Sequence, residues 1–237
     1  MKLLAILKLF VSLFSISLCN MVAASDSTSE YKKLVQANLG AGCSIAMALP
    51  SAEVARVGGD PNLNLGGFRV EPLPKSWKSK LGELYMGLYC VPADGRVMRD
   101  GLARRNPNTG LWEKDLDARF GSMSAEERKI LNKATKVVSI RAVNSTGYIA
   151  IEEDVTGDEE RRQRKLYFCL FHLAKGLCGG GVVGMLREGR RGDLTPQSLK
   201  IIQSIEFLDS EPGDGDGSSQ APASSVPQPA TDDLPGR

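Results

Sequence analysis

An α+β domain, mostly antiparallel sheet covered by helices, is the fold class that this 237-residue sequence predicts. Three observations carry the prediction. Short apolar runs at residues 43–49, 84–91, 136–143, 148–152 and 166–173 are bounded by Gly, Pro, Asn and Asp, as strands are. Helix start signals stand out at Ser124 with Glu127, and at Thr195 with Pro196. The most apolar stretch beyond the N-terminus, 165–209, reads as strand, hairpin, strand, turn, capped helix and short closing strand.

The N-terminus comes first in chain order. Lys2 and Lys8 flank and enter an apolar run from Leu3 to Leu18, and Val22, Ala23 and Ala24 supply the small residues of a cleavage site. This reads as a Sec-type signal peptide over residues 1–24, and it predicts a periplasmic or secreted protein with no stable membrane anchor after cleavage. Cys19 offers a lipoprotein reading that Leu18 fits poorly, because a lipoprotein site wants a small residue there.

Charge divides the rest of the chain. The whole sequence carries +2, which the two leader lysines account for. From Asp209 onward six acids face one arginine, leaving the body at +5. That charge is too modest and scattered to argue for nucleic acid. Residues 210–237 are rich in Gly, Ser, Pro, Ala and Asp, without an apolar period, and predict a disordered tail after a single domain at 25–209.

Export also decides the cysteines. Cys43, Cys90, Cys169 and Cys178 are an even set in a compartment where disulfides persist. Of the three possible pairings, Cys43 with Cys90 and Cys169 with Cys178 is preferred, the second closing across one hairpin. Zinc is disfavoured, since no close CxxC pair exists and His172 is the single histidine.

Residues 30–39 suit a short helix stopped by Gly40 and Gly42, and 43–49 a strand ended by Pro50. Glycines and prolines break every longer pattern over 51–79, leaving only 67–71 strand-like. A clear strand follows at 84–91, then a loop around Asn106, Pro107, Asn108 and Gly110. Ser124 and Glu127 form a capping box opening a helix over 125–133. Strands 136–143 and 148–152 are joined by Asn144–Gly147, a turn that also spells a glycosylation sequon. Along 166–173 both faces are apolar, which marks a central strand covered on both sides. Gly176 suits the reversal into a second strand at 179–186. Thr195 is the expected cap of the last helix, with Pro196 at its first position, before an extended segment at 205–208.

Several motifs invite a function. Gly179, Gly181 and Gly184 fit the dinucleotide fingerprint, but Gly189 and Gly192 cut off the helix that it needs, so no cofactor is expected. Arg191, Gly192 and Asp193 spell RGD at a place where Gly and Asp are ordinary turn residues. His172 sits in a strand expected to be buried, which favours a satisfied core histidine over a catalytic one. The carboxylates Glu152, Glu153, Asp154, Asp158, Glu159 and Glu160 give an alternative reading, a hydrolase using this acidic loop with His172. Arg161, Arg162 and Arg164, with Arg190 and Arg191, are the candidate contact for an anionic partner, set against a solvated loop whose charges cancel.

The leading strand CSIAMALP, the antiparallel sheet with one central strand, and a capped helix running into SIEF at 204–207 together resemble the Mog1/PsbP-like α/β/α sandwich proteins. The resemblance spans 43–209 in order of elements. It implies a binding or accessory protein without an active site, a class that includes immunity proteins of bacterial secretion systems. The expected function is therefore an exported non-enzymatic binding protein, an immunity protein occluding a periplasm-delivered toxin being its sharpest form. A hydrolase and an envelope structural or accessory protein are the alternatives.

Overall fold

A computed structural model describes residues 33–50, 55–93 and 102–208. The signal-peptide reading at 1–24 and the tail reading at 210–237 lie outside the described residues. The strands are β1 (Lys33–Asn38), β2 (Ser44–Leu49), β3 (Ala55–Asp60), β4 (Leu65–Val70), β5 (Leu84–Pro92), β6 (Ala103–Arg105), β7 (Trp112–Lys114), β8 (Thr135–Arg141), β9 (Thr146–Glu153), β10 (Gln163–His172), β11 (Lys175–Met185) and β12 (Glu206–Leu208). The helices are α1 (Leu116–Phe120), α2 (Ala125–Ala134) and α3 (Thr195–Gln203). The fold is mixed α+β and mostly antiparallel.

Seven strands build the main sheet in the order β3-β4-β5-β11-β10-β9-β8, and β1-β2-β12 form a second sheet. The β10–β11 hairpin is its spine. Along β10, Leu166, Phe168 and Leu170 point to one face and Tyr167, Cys169 and Phe171 to the other, so period-2 alternation feeds two cores. The larger core packs that first set with Phe68, Met86 and Val183 against Met47 of β2, Ile201 of α3 and Phe207 of β12. On the opposite face Leu102, Ala103 and Trp112 of the β6–β7 hairpin cover Tyr148, Cys169 and Cys178. The covering layers thus contain strands as well as helices. Among the described residues, no helix is long and apolar enough to cross a membrane.

Both disulfides form as the sequence predicts, Cys43–Cys90 and Cys169–Cys178. Cys169 and Cys178 are direct cross-strand partners in the hairpin, with Cα atoms 4.0 Å apart. The Ser124–Glu127 capping box is complete, with α2 starting at Ala125.

Four expectations need correction. Residues 33–38 are strand β1, not helix, because they pair along their whole length with β2 while Val35 and Ala37 pack on the core. Helix propensities differ by at most about 0.7 kcal/mol per ordinary residue, less than such a ladder and burial supply. The β10–β11 reversal falls at Leu173–Ala174, since His172 pairs with Lys175; Gly176 lies inside β11. Thr195 is the first residue of α3, and Asp193 Oδ1 accepts its backbone N–H at 2.9 Å. The glycine-broken region also holds β3, whose Gly58 and Gly59 pair with Gly67 and Gly66 of β4.

Candidate functional site

The register of the main sheet sets four glycines in one row. Gly58 of β3 lies opposite Gly67 of β4, Gly67 opposite Gly87 of β5, and Gly87 opposite Gly180 of β11. Direct partners in an antiparallel sheet project from the same face. The row crosses four strands, about 14 Å at the usual strand spacing. Tyr167 of β10, opposite Gly180, ends it.

Side chains on this face turn three of the four, Gly58, Gly87 and Gly180, into the floor of a groove of about 620 Å³, while the Tyr85 ring lies over Gly67. On one side stands Tyr85, backed by Arg69 in the next strand, and on the other Asp60, Leu65 and Tyr89. Tyr85 is 48% exposed and Leu65 43%, both large for strand residues in a paired sheet. The β6–β7 cover and α1 stop at Tyr167, where the Arg119 guanidinium lies 5.6 Å from the ring centroid. Arg119 also faces Glu152 at 3.8 Å, so one charged group closes the groove's end. Arg69 braces Tyr85 from 5.7 Å while pairing with Glu71 and Glu83.

Two of the four glycines have a structural reason. A Cβ at Gly67 would meet the Tyr85 ring and hydroxyl at 3.1 Å and the Met86 carbonyl at 2.8 Å, and one at Gly180 would meet the Tyr167 ring at 2.7 Å. Gly87 and Gly58 have none. A Cβ on Gly87 would come no closer than 3.9 Å to any neighbour, and one on Gly58 would meet nothing within 4 Å. Neither has a left-handed φ. A strand glycine costs roughly 0.5–1 kcal/mol relative to alanine, so this pair costs about 1–2 kcal/mol with no return in packing. Glycine in a strand otherwise marks close approach by a ligand or another backbone.

The residues singled out by sequence are arranged differently. Arg161, Arg162, Arg164, Arg190 and Arg191 gather at one corner, where the turn at Glu159–Arg161 meets that at Leu186–Gly192. Arg164 is committed to structure. Its guanidinium joins Glu153 at 2.5 Å and Asp193 at 2.7 Å. Burial opposes its charge, but the hydrogen bond to Glu153 and the Asp193 carboxylate hold its pKa above the ordinary value. Arg162 bonds to the Gly157 carbonyl and pairs with Glu159, while Arg161 faces Asp158. Arg190 and Arg191 are exposed and carry no ion pair with the described residues. Asp193 of the RGD tripeptide is spent on Arg164 and on the backbone N–H of Thr195, and Gly192 is buried, so the tripeptide is a turn and not a displayed loop.

His172 is not a core histidine. It is half-buried at the end of β10, donates from Nδ1 to the Asn144 carbonyl at 2.7 Å, and stacks on Phe207 at 5.3 Å. The acidic cluster lies at the other end of the same strand, where Glu153 pairs with Arg164. Eight strand steps, about 27 Å, separate Arg164 from His172. The carboxylates are also engaged, Glu153 with Arg164, Asp154 with Lys165 and Glu160 with Arg187. The structure does not bring this acidic loop and His172 together.

The sequon Asn144 is a clamp. Its Nδ2 donates to the Phe207 carbonyl at 2.8 Å and its Oδ1 accepts from the Phe207 N–H at 3.0 Å, so the side chain is held by β12. Gly179, Gly181 and Gly184 all lie inside β11, and none opens a helix.

Sequence reasoning missed the groove. Its glycines come from four segments spread over more than 120 positions, and each looks locally like a strand breaker. Only the register aligns them. No known protein family, curated protein or solved structure matches the chain, so the chemistry of this site is argued from its own residues.

Proposed function

We propose that the protein is an exported, non-enzymatic binding protein that holds its partner on the glycine-floored face of the main sheet. The observation that carries this is the pair Gly58 and Gly87, kept free of side chains where the fold would accept them. Two disulfides and absence of any helix long enough to span a membrane among the described residues are compatible with a periplasmic or extracellular location. The resemblance to Mog1/PsbP-like sandwich proteins favours the same role. Its sharpest form is an immunity protein that blocks a periplasm-delivered toxin by steric occlusion, with an envelope component as the other partner class. The exposed Arg161, Arg190 and Arg191 would add a cationic contact for an anionic part of the partner.

A deletion strain carrying add-back alleles tests the reading. Restoration by the wild type and by His172→Ala, but not by Gly87→Val, supports a groove that binds without an imidazole. Full restoration by Gly87→Val removes the groove from function, and failure of His172→Ala alone, with a native amide spectrum, shows that the imidazole is needed and overturns the reading. Loss of fitness against sibling cells, rescued by the wild type, identifies the immunity form. A photo-reactive residue at Leu65, on the groove wall, should trap the partner, while the same residue at exposed Ile130 of α2 should not.

A further inference from the structure

We infer that the groove takes an uncharged sugar ring of an oligosaccharide; this rests on the binding reading above, in its envelope-component form, and names the ligand class. The open floor is small and flat. It centres on Gly87, with the Tyr85 ring lying over Gly67 to one side and the Tyr167 ring against Gly180 to the other. Two strand spacings separate those glycines, about 10 Å, which leaves room for one ring of six atoms between the aromatic walls. Tyr89 stands one position along the same face.

The wall chemistry selects among flat ligands. Tyrosines offer an apolar face to C–H groups and a hydroxyl to hydrogen-bonding groups. Apart from Leu65 and Leu88 no aliphatic side chain lines the groove, so its apolar surface is mainly the Tyr85 and Tyr89 rings and glycine backbone, which suits the C–H face of a sugar ring. At the ends stand one acceptor, the Asp60 carboxylate, and one donor, the Arg119 guanidinium. Asp60 Oδ1 accepts the Asn62 N–H at 3.0 Å, leaving Oδ2 for a ligand hydroxyl. The two charges are opposite, which disfavours a cationic or an anionic ligand alike and suits a neutral ring carrying hydroxyls on its rim. The Tyr167 face is already occupied by Arg119, so an aromatic cage for a cation is not available.

The test is protein-observed NMR on the oxidised protein, titrated separately with an N-acetylglucosamine trimer, maltotriose and the peptide Gly-Trp-Gly. The expected result is saturable shifts by at least one trisaccharide at the amides of Gly58, Gly87 and Tyr89, weakened about tenfold or more by Gly87→Val. Gly82→Val is the control, because a Cβ there meets nothing within 4 Å and Gly82 does not line the groove. Gly58→Val provides a second block, and a native amide spectrum for each variant shows that folding survives. No trisaccharide response, shifts that persist in both valine variants, or a response to the peptide alone overturns the inference. A partner trapped through the Leu65 position while no sugar binds overturns the sugar and leaves the binding reading standing; absence of both overturns the two together.

Discussion

Replacing Gly87 by alanine should make the protein more stable while damaging its groove. The new methyl group would sit 3.9 Å from the Gly180 carbonyl oxygen and 4.0 Å from the Tyr85 hydroxyl, ordinary contact distances. With no clash and no left-handed φ, the main effect is a less flexible unfolded chain, worth about 0.4–1 kcal/mol in favour of the fold. A domain of this size gains roughly 2–4 °C in Tm per kcal/mol, so a rise of about 2 °C is expected. Gly181→Ala is the matched contrast one position away from Gly180 on the same strand. Its methyl would lie 2.0 Å from the Tyr85 carbonyl oxygen, forcing a backbone shift of the kind that costs about 1–3 kcal/mol. Urea denaturation and calorimetry of the two oxidised variants against wild type measure both values. If Gly87→Ala loses stability as Gly181→Ala does, glycine at 87 is a requirement of the sheet, and the argument that it is kept for a ligand fails.

Three further predictions concern the scaffold. Cys43 and Cys90 are 47 positions apart and Cys169 and Cys178 nine, so loop-closure entropy makes the first bridge worth about 4 kcal/mol and the second about 2.7; paired Cys→Ala variants compared in urea should keep that order, and a larger loss from the hairpin pair would refute it. Asn144→Ala removes both bonds to Phe207 and leaves part-buried backbone groups unpaired, at about 2–3 kcal/mol, with faster hydrogen exchange at Phe207 as its local sign. Burial pushes the Asp154 carboxyl up, but the Lys165 ammonium and the Gln163 N–H outweigh it and hold its pKa below 3.8. Its contribution is therefore complete above that value and lost as pH falls through the lower folded pKa, so Lys165→Met should flatten stability against pH below about 4 without changing its shape near neutrality.

How legible this was differs along the chain. The β10–β11 hairpin could be read because Leu166 to Phe171 is apolar on both faces, a local signal that coincides with its place between two cores. The disulfides could be read because Cys169 and Cys178 sit symmetrically about that hairpin. β1 could not, because its outward Leu34, 68% exposed, fills the position a helix would also have given to an apolar residue. Only pairing with β2 decides the matter. The short β6 and β7 are three residues each, and their evidence is tertiary, Trp112 stacked on Phe171 at 5.3 Å. The turn at Leu173 runs against residue preference, since its φ of 52° usually belongs to Gly or Asn and its side chain is 79% exposed. The groove lay furthest from view. A glycine at 58 or 87 carries a turn signal in its own segment, and its meaning as floor appears only when four strands are laid side by side.

The pairing of β12 with β2 has a consequence for how the chain is made. Glu206, Phe207 and Leu208 complete a ladder with Ala46, Ile45 and Ser44, and Asn144 clips that last strand to the main sheet. A polypeptide that emerges N-terminus first must hold Ile45, Met47 and Leu49 without their final cover until more than 150 further residues have appeared. Closing so long a loop is slow relative to forming the hairpins inside it. Synthesis or threading of this protein is therefore bound to proceed through a state in which the interior lies open on one side. Truncation just before Glu206 would hold it there, a species that chaperones or proteases would meet as unfinished, whatever the groove on the far face is able to bind.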